Sequence, residues 1–224
     1  MSAGYRLYGG VWTRAVGVMM VLEELGLAYE SLPLDLLGGE HRRAEFLAMN
    51  PAGFVPLLIT PEGQHLHEAS AIMLHLAEKH DPGGLVPALD DPERGLFLSR
   101  YIYVGNDIQP PAKRFFFSRR YALRPEDTSL VHAQARAAAE ERWSVLDGFL
   151  AEGDGPFHLG ERFTVADIQV AYWANYGFDE LDDITGAFPA VKRLFTAVSE
   201  RPKSGALLAQ QRETLLAWRA KRRS

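Results

Sequence analysis

The sequence predicts an α/β domain followed by an all-helical one, and three observations carry that reading. Short strands and helices alternate as far as His80. A run rich in Pro, Gly and Asp follows, and beyond it no segment keeps the period-two alternation of a strand. The domains are placed at residues 1–80 and 92–224, with residues 81–91 as the linker. A chain of 224 residues is long enough for two such cores. At 47% hydrophobic and 24% charged residues, its composition is that of an ordinary globular protein.

Each element has a local reason. Tyr5–Tyr8 reads as a strand stopped by Gly9-Gly10, and Thr13–Leu25 as a helix with Gly26 just past its end. Ala28–Leu34 is a second strand, and Glu40–Met49 a short helix ended by Asn50-Pro51. Leu57–Thr60 and Gln64–His67 form a hairpin around Pro61-Glu62-Gly63, before a helix over Ala69–His80. Strand, helix, strand, helix, strand, strand, helix is the order of a thioredoxin-like domain. Later helices are expected over 93–117, 130–151, 165–176, 190–200 and 205–221. Thr164 and Asp167 have capping-box spacing, with Phe163 and Ile168 as a staple.

Composition excludes several chemistries. The formal net charge of −5 argues against a general nucleic-acid binder. There is no cysteine, so disulfides, thiolate metal sites and a cysteine nucleophile are ruled out together. The histidines show no metal-ligand spacing, and no metal is expected. No stretch approaches the roughly 20 apolar residues of a membrane span, and no secretory signal is visible. A cytoplasmic location is the expectation.

The most informative stretch runs from Asn50 to Ile72. Val55-Pro56 precedes an apolar strand, where proline's missing N–H is tolerated. A cis bond there would turn the Val55 backbone toward a ligand. Glu68-Ala69-Ser70 then opens a helix, whose first turn offers free N–H groups and a positive dipole end. A peptide-recognition edge thus adjoins a carboxylate-recognition corner, a pairing that suits glutathione.

On these residues the chain resembles the cytosolic glutathione transferases, over nearly its whole length and nearest the serine-type, theta-like members. The resemblance implies that Val55, ahead of cis Pro56, pairs with the cysteinyl unit of glutathione and that Glu68 holds its γ-glutamyl end. The family's serine at this helix start is Ala69 here, with Ser70 one place later. His41, in Gly39-Glu40-His41, matches a histidine that reaches the glycyl end. Some members place a lysine or histidine just ahead of the Val55-Pro56 pair; in this chain Gly53 and Phe54 stand there, so that contact is missing, and Phe54 is counted among the glutathione-binding residues by position alone. Asp107 aligns with an acid that reaches the partner subunit's ligand. The resemblance also implies a homodimer, glutathione as co-substrate and a role in detoxification.

Glutathione chemistry needs a group that stabilises the thiolate. The serine-type hydroxyl position falls on Trp12, whose indole only donates. Thr13 beside it offers a hydroxyl at the helix start, which also suits a simple N-cap. Tyr8, at the end of the first strand, is the tyrosine-type alternative. Arg14 offers a positive charge. For the second substrate, Tyr103, Asn106, Arg114 and Phe117 recur at roughly helical spacing and suit an apolar electrophile, neutral or anionic, on a basic and aromatic rim. The expected function is attack by glutathione thiolate on a small hydrophobic electrophile. A glutathione-dependent isomerase or dehalogenase is the variant reading, although the serine-serine-cysteine run typical of maleylacetoacetate isomerases is absent. A non-catalytic binding or regulatory protein on the same fold is the rival, favoured by Trp12 and Ala69.

Overall fold

The computed structural model describes residues 4–81, 83–180 and 182–223. The chain divides into two compact units: residues 1–86 together with 199–224, and residues 87–198.

The first unit is built on a four-stranded mixed sheet: β1 (Tyr5–Tyr8), β2 (Tyr29–Leu32), β3 (Leu57–Ile59) and β4 (His65–His67). The order is β2-β1-β3-β4. β1 runs parallel to β2 and antiparallel to β3, with Leu7 opposite Leu58, and β3–β4 is the expected hairpin. Three helices accompany the sheet: α1 (Ala15–Glu24), α2 (Ala44–Met49) and α3 (Ala69–His80). This is the thioredoxin-like arrangement. The expected helix from Thr13 begins two residues later, because Thr13 and Arg14 belong to the turn that feeds it. The segment Glu40–Arg42 is a separate 3₁₀ turn ahead of α2.

α1 is apolar on every side: Ala15 to Leu22 are all buried. A helix without a polar face needs cover all round. α3 supplies part of it, and α10 (Pro202–Arg223), the last helix, packs against it as well. The sequence placed residues 199–224 in the helical domain, whereas here they complete the first unit. Arg201 grips Glu24 at the end of α1, its Nε and Nη2 donating at 3.2 and 2.7 Å. Ser204 donates to the same carboxylate at 2.7 Å, and Lys203 donates to the Glu23 carbonyl. Gly205 has no room for a side chain, which would collide with the Ser199 carbonyl.

The second unit is helical: α4 (Arg94–Tyr103), α5 (Gln109–Phe116), α6 (Thr128–Ala151), α7 (Val165–Ala174), α8 (Asp183–Ala187) and α9 (Pro189–Ser199), which runs one residue beyond it. The single helix expected over 93–117 is interrupted by a π turn at Val104–Ile108. Pro110 and Pro111 cause it. Neither can donate to the carbonyl four residues back, so the ladder widens, and Gln109 N bonds Val104 O instead. α7 lies at the centre with every residue buried. Its capping box forms as expected: Asp167 Oδ2 accepts Thr164 N at 2.8 Å, and Thr164 Oγ1 accepts Ala166 N at 3.3 Å. Asp167 Oδ1 also takes the His158 backbone N–H and lies 2.9 Å from its Nδ1.

Candidate functional site

The candidate site of the first unit starts where β1 ends. Gly9 has φ 128°, and a Cβ there would stand 2.8 Å from Ala15 Cβ, 3.2 Å from Thr13 Oγ1 and 3.3 Å from Val55 Cβ. Glycine is what lets these three residues converge. Thr13 is buried. Its hydroxyl donates to Gly10 O at 2.8 Å and accepts Ala15 N at 3.2 Å. The one proton it owns is therefore held inside the turn. The Trp12 indole lies against Gly10, where an added Cβ would be 3.1 Å from Cδ1 and Nε1. Tyr8 is half-buried; its ring meets Phe46 edge-on at 5.9 Å in a cluster with Val55 and Leu57.

The second corner is the loop before β3. The Val55-Pro56 bond is cis. Asn50, 1% exposed, braces this loop, donating from Nδ2 to Phe54 O at 2.8 Å while its Oδ1 accepts Ala52 N at 3.2 Å. The sequence treated Asn50 only as a helix stop; its side-chain bonds two and four residues on were the missed signal. Phe54 is partly exposed, with the Arg42 guanidinium 5.2 Å from its ring centre. His41 sits beside Arg42 in the 3₁₀ turn that follows Gly39.

The third corner is the start of α3. Glu68 has φ 69° and ψ 112°, a backbone region that L-residues rarely occupy, and it is the one non-glycine residue at positive φ among those described. Its side chain is 62% exposed. Ala69 is buried, and Ser70 is half-buried.

Arg14 ties the three corners together. Its Nη2 donates to Val55 O at 3.3 Å, and Nη1 lies 3.7 Å from Glu68 Oε2. The structure thus brings together the loop after β1, the cis-proline edge and the helix corner. What the sequence did not show is that one side chain spans them.

The remaining candidates lie in the helical unit. Tyr103 donates its hydroxyl to Arg142 O at 3.0 Å, and burial together with Asp107 pushes its pKa up. Asp107 lies 3.9 Å from Arg142. Asn106, Arg114 and Phe117 are all exposed, and the Arg120 guanidinium lies 4.4 Å from the centre of the Phe117 ring. Phe115 is buried against Phe178 and His132, a packing role.

Comparison with known proteins matches both parts of the chain. A family model for the glutathione S-transferase N-terminal domain matches residues 3–78, and one for the C-terminal domain matches residues 120–211. A maleylacetoacetate isomerase of Rhizobium meliloti is 35% identical over 67% of this chain and 70% of its own length. Glutathione S-transferase 3 of Zea mays is 30% identical over 89% and 91%. A glutathione transferase family member from Pseudomonas fluorescens, solved with two glutathione molecules bound, is 28% identical with a TM-score of 0.78, covering 92% of each chain.

Proposed function

Because the chain belongs to the glutathione S-transferase superfamily, we propose that it binds glutathione and sets its thiolate on a small electrophile. One observation carries this reading: the cis Val55-Pro56 edge and the strained Glu68 corner lie within reach of a single side chain. The cysteinyl backbone of glutathione pairs with Val55, and its γ-glutamyl end with Glu68 and the first N–H groups of α3. His41, Phe54, Ala69 and Ser70 line the same tripeptide, and Asp107 serves the partner's ligand in a cytoplasmic homodimer. Tyr103, Asn106, Arg114 and Phe117 receive the electrophile.

In conjugation the sulfur forms a bond to carbon, a leaving group such as halide departs, and the thiol proton goes to water. In the isomerase variant the thiolate adds to a double bond, the carbon–carbon bond rotates, and glutathione is expelled intact. The Rhizobium meliloti relative favours that variant.

Thr13 is the proposed hydroxyl donor to sulfur. To donate, it must turn from Gly10 O, giving up a bond worth about 0.5–1.5 kcal/mol. The test is conjugation to a reactive aromatic halide. Thr13→Val is expected to lower turnover roughly tenfold or more and raise the pKa of the bound thiol, with glutathione affinity nearly unchanged. Tyr8→Phe should do little. The reverse pattern assigns the role to Tyr8. A protein that neither binds glutathione nor turns it over would sink the reading altogether.

A further inference from the structure

We propose that the loop joining α5 to α6 docks the protein on an anionic lipid bilayer, its basic residues on the headgroups and its apolar tip among the acyl chains. This goes beyond the glutathione reading and does not rest on it.

The chain carries a formal net charge of −5, yet residues 113–124 hold Lys113, Arg114, Arg119, Arg120 and Arg124 and no acid. Arg114 and Arg119 are exposed and enter no ion pair among the described residues. Arg124 is the exception: Asp127 neutralises it, its Nε and Nη2 each donating at 3.0 Å. Among these cations stand three exposed apolar side chains, Phe117, Tyr121 and Leu123, at 44, 43 and 97% exposure. The Arg120 guanidinium lies 4.4 Å from the Phe117 ring centre, so charge and apolar surface are side by side. One apolar residue in water is ordinary. Three in so short a stretch, rimmed by basic ones, mark an interaction surface.

The loop is held so that these side chains point outward. On its near side Phe115 is buried against Phe178 and His132. The buried Ser118 hydroxyl donates back into α5, between Arg114 O at 2.9 Å and Phe115 O at 2.8 Å. The Tyr121 and Ala122 N–H groups both donate to Ser118 O, at 3.0 and 3.1 Å. On its far side the Arg124–Asp127 pair closes the turn before α6. Leu123 stands between these anchors and touches almost nothing of its own chain.

The chemistry of the face selects its partner. A second copy meeting it across a two-fold axis would set like charges against like. Nucleic acid would satisfy the arginines and stack on the aromatic rings, but it offers a protruding leucine no apolar place. An anionic bilayer meets all three needs: phosphate and carboxylate for the arginines, the headgroup level for the tyrosine, hydrocarbon for the leucine. An enzyme acting on apolar electrophiles gains from standing there, because such compounds concentrate in the bilayer.

Co-sedimentation with lipid vesicles tests this. The wild type should bind phosphatidylcholine vesicles containing about 30% phosphatidylserine, and bind pure phosphatidylcholine at least roughly tenfold more weakly. Salt at about 0.5 M should weaken the binding by screening the charges. Arg119→Glu changes the local charge by two and should lower the partition coefficient roughly twentyfold or more. Arg119→Lys keeps the charge, should bind as the wild type does, and controls for folding. Leu123→Ser leaves every charge in place and should lower partition about tenfold. Wild-type protein that ignores the anionic vesicles overturns the proposal. So does Leu123→Ser that binds undiminished, which would leave a charged surface alone, or Arg119→Lys that fails to bind. Single-stranded DNA that binds more tightly than the vesicles and competes them off would assign the loop to nucleic acid instead.

Discussion

Glu68 holds a conformation that costs an L-residue on the order of 1–2 kcal/mol. Strain of this kind persists where surrounding structure over-determines it, and here it aims the carboxylate toward Arg14 instead of along the helix. Two substitutions separate side chain from backbone. Glu68→Ala and Glu68→Gly both remove the carboxylate, but only glycine removes the strain. Glu68→Gly should be the more stable of the two by about 1 kcal/mol in urea unfolding, while both lose glutathione affinity to a similar extent. Equal stability would mean that the backbone at 68 carries no penalty. At this scale the sequence marks kinds of residue but not their partners. Val55, Pro56 and Glu68 were visible because each is defined by its neighbours in the chain. The Arg14 contacts reach 41 and 54 residues ahead, and no local pattern encodes a reach of that length.

Among elements, the contact of α10 with α1 is one that pH can address. Burial pushes the Glu24 carboxyl up, but the Arg201 and Ser204 hydrogen bonds and the Arg201 charge outweigh it, so the net displacement is below 4.5. A depressed acid contributes stability above its unfolded pKa and loses it as pH falls through the folded value. Glu24→Gln should therefore cost about 2 kcal/mol at pH 7, and the gap to the wild type should narrow as pH falls below 4.5. A gap that stays constant down to pH 3 would show that the charge of Glu24 is not what joins the helices. The all-round apolarity of Ala15–Leu22 was a readable sign that α1 needed one more cover. The covering face was harder to read. It consists of Ser204, Leu208, Gln211 and Leu215, and two of the four are polar. The Thr164–Asp167 box was legible to the residue, because a cap is written within four consecutive positions.

For the whole molecule, the homodimer remains a proposal, and α4 leaves Leu96 and Ile102 about half exposed. Sedimentation should give a species about twice 25.0 kDa. A single species at 25.0 kDa across micromolar concentrations would rule this out. The fold class was legible in the sequence because strand–helix alternation stops near His80, but the return of the last helix to the first unit was not. That return sets an order of events during synthesis. The ribosome makes residues 1–86, then the whole of 87–198, and only then the helix that closes over α1. At roughly 5–20 residues per second the interval is on the order of ten seconds. Throughout it the nascent chain carries an apolar helix lacking one of its covers, a natural foothold for a chaperone.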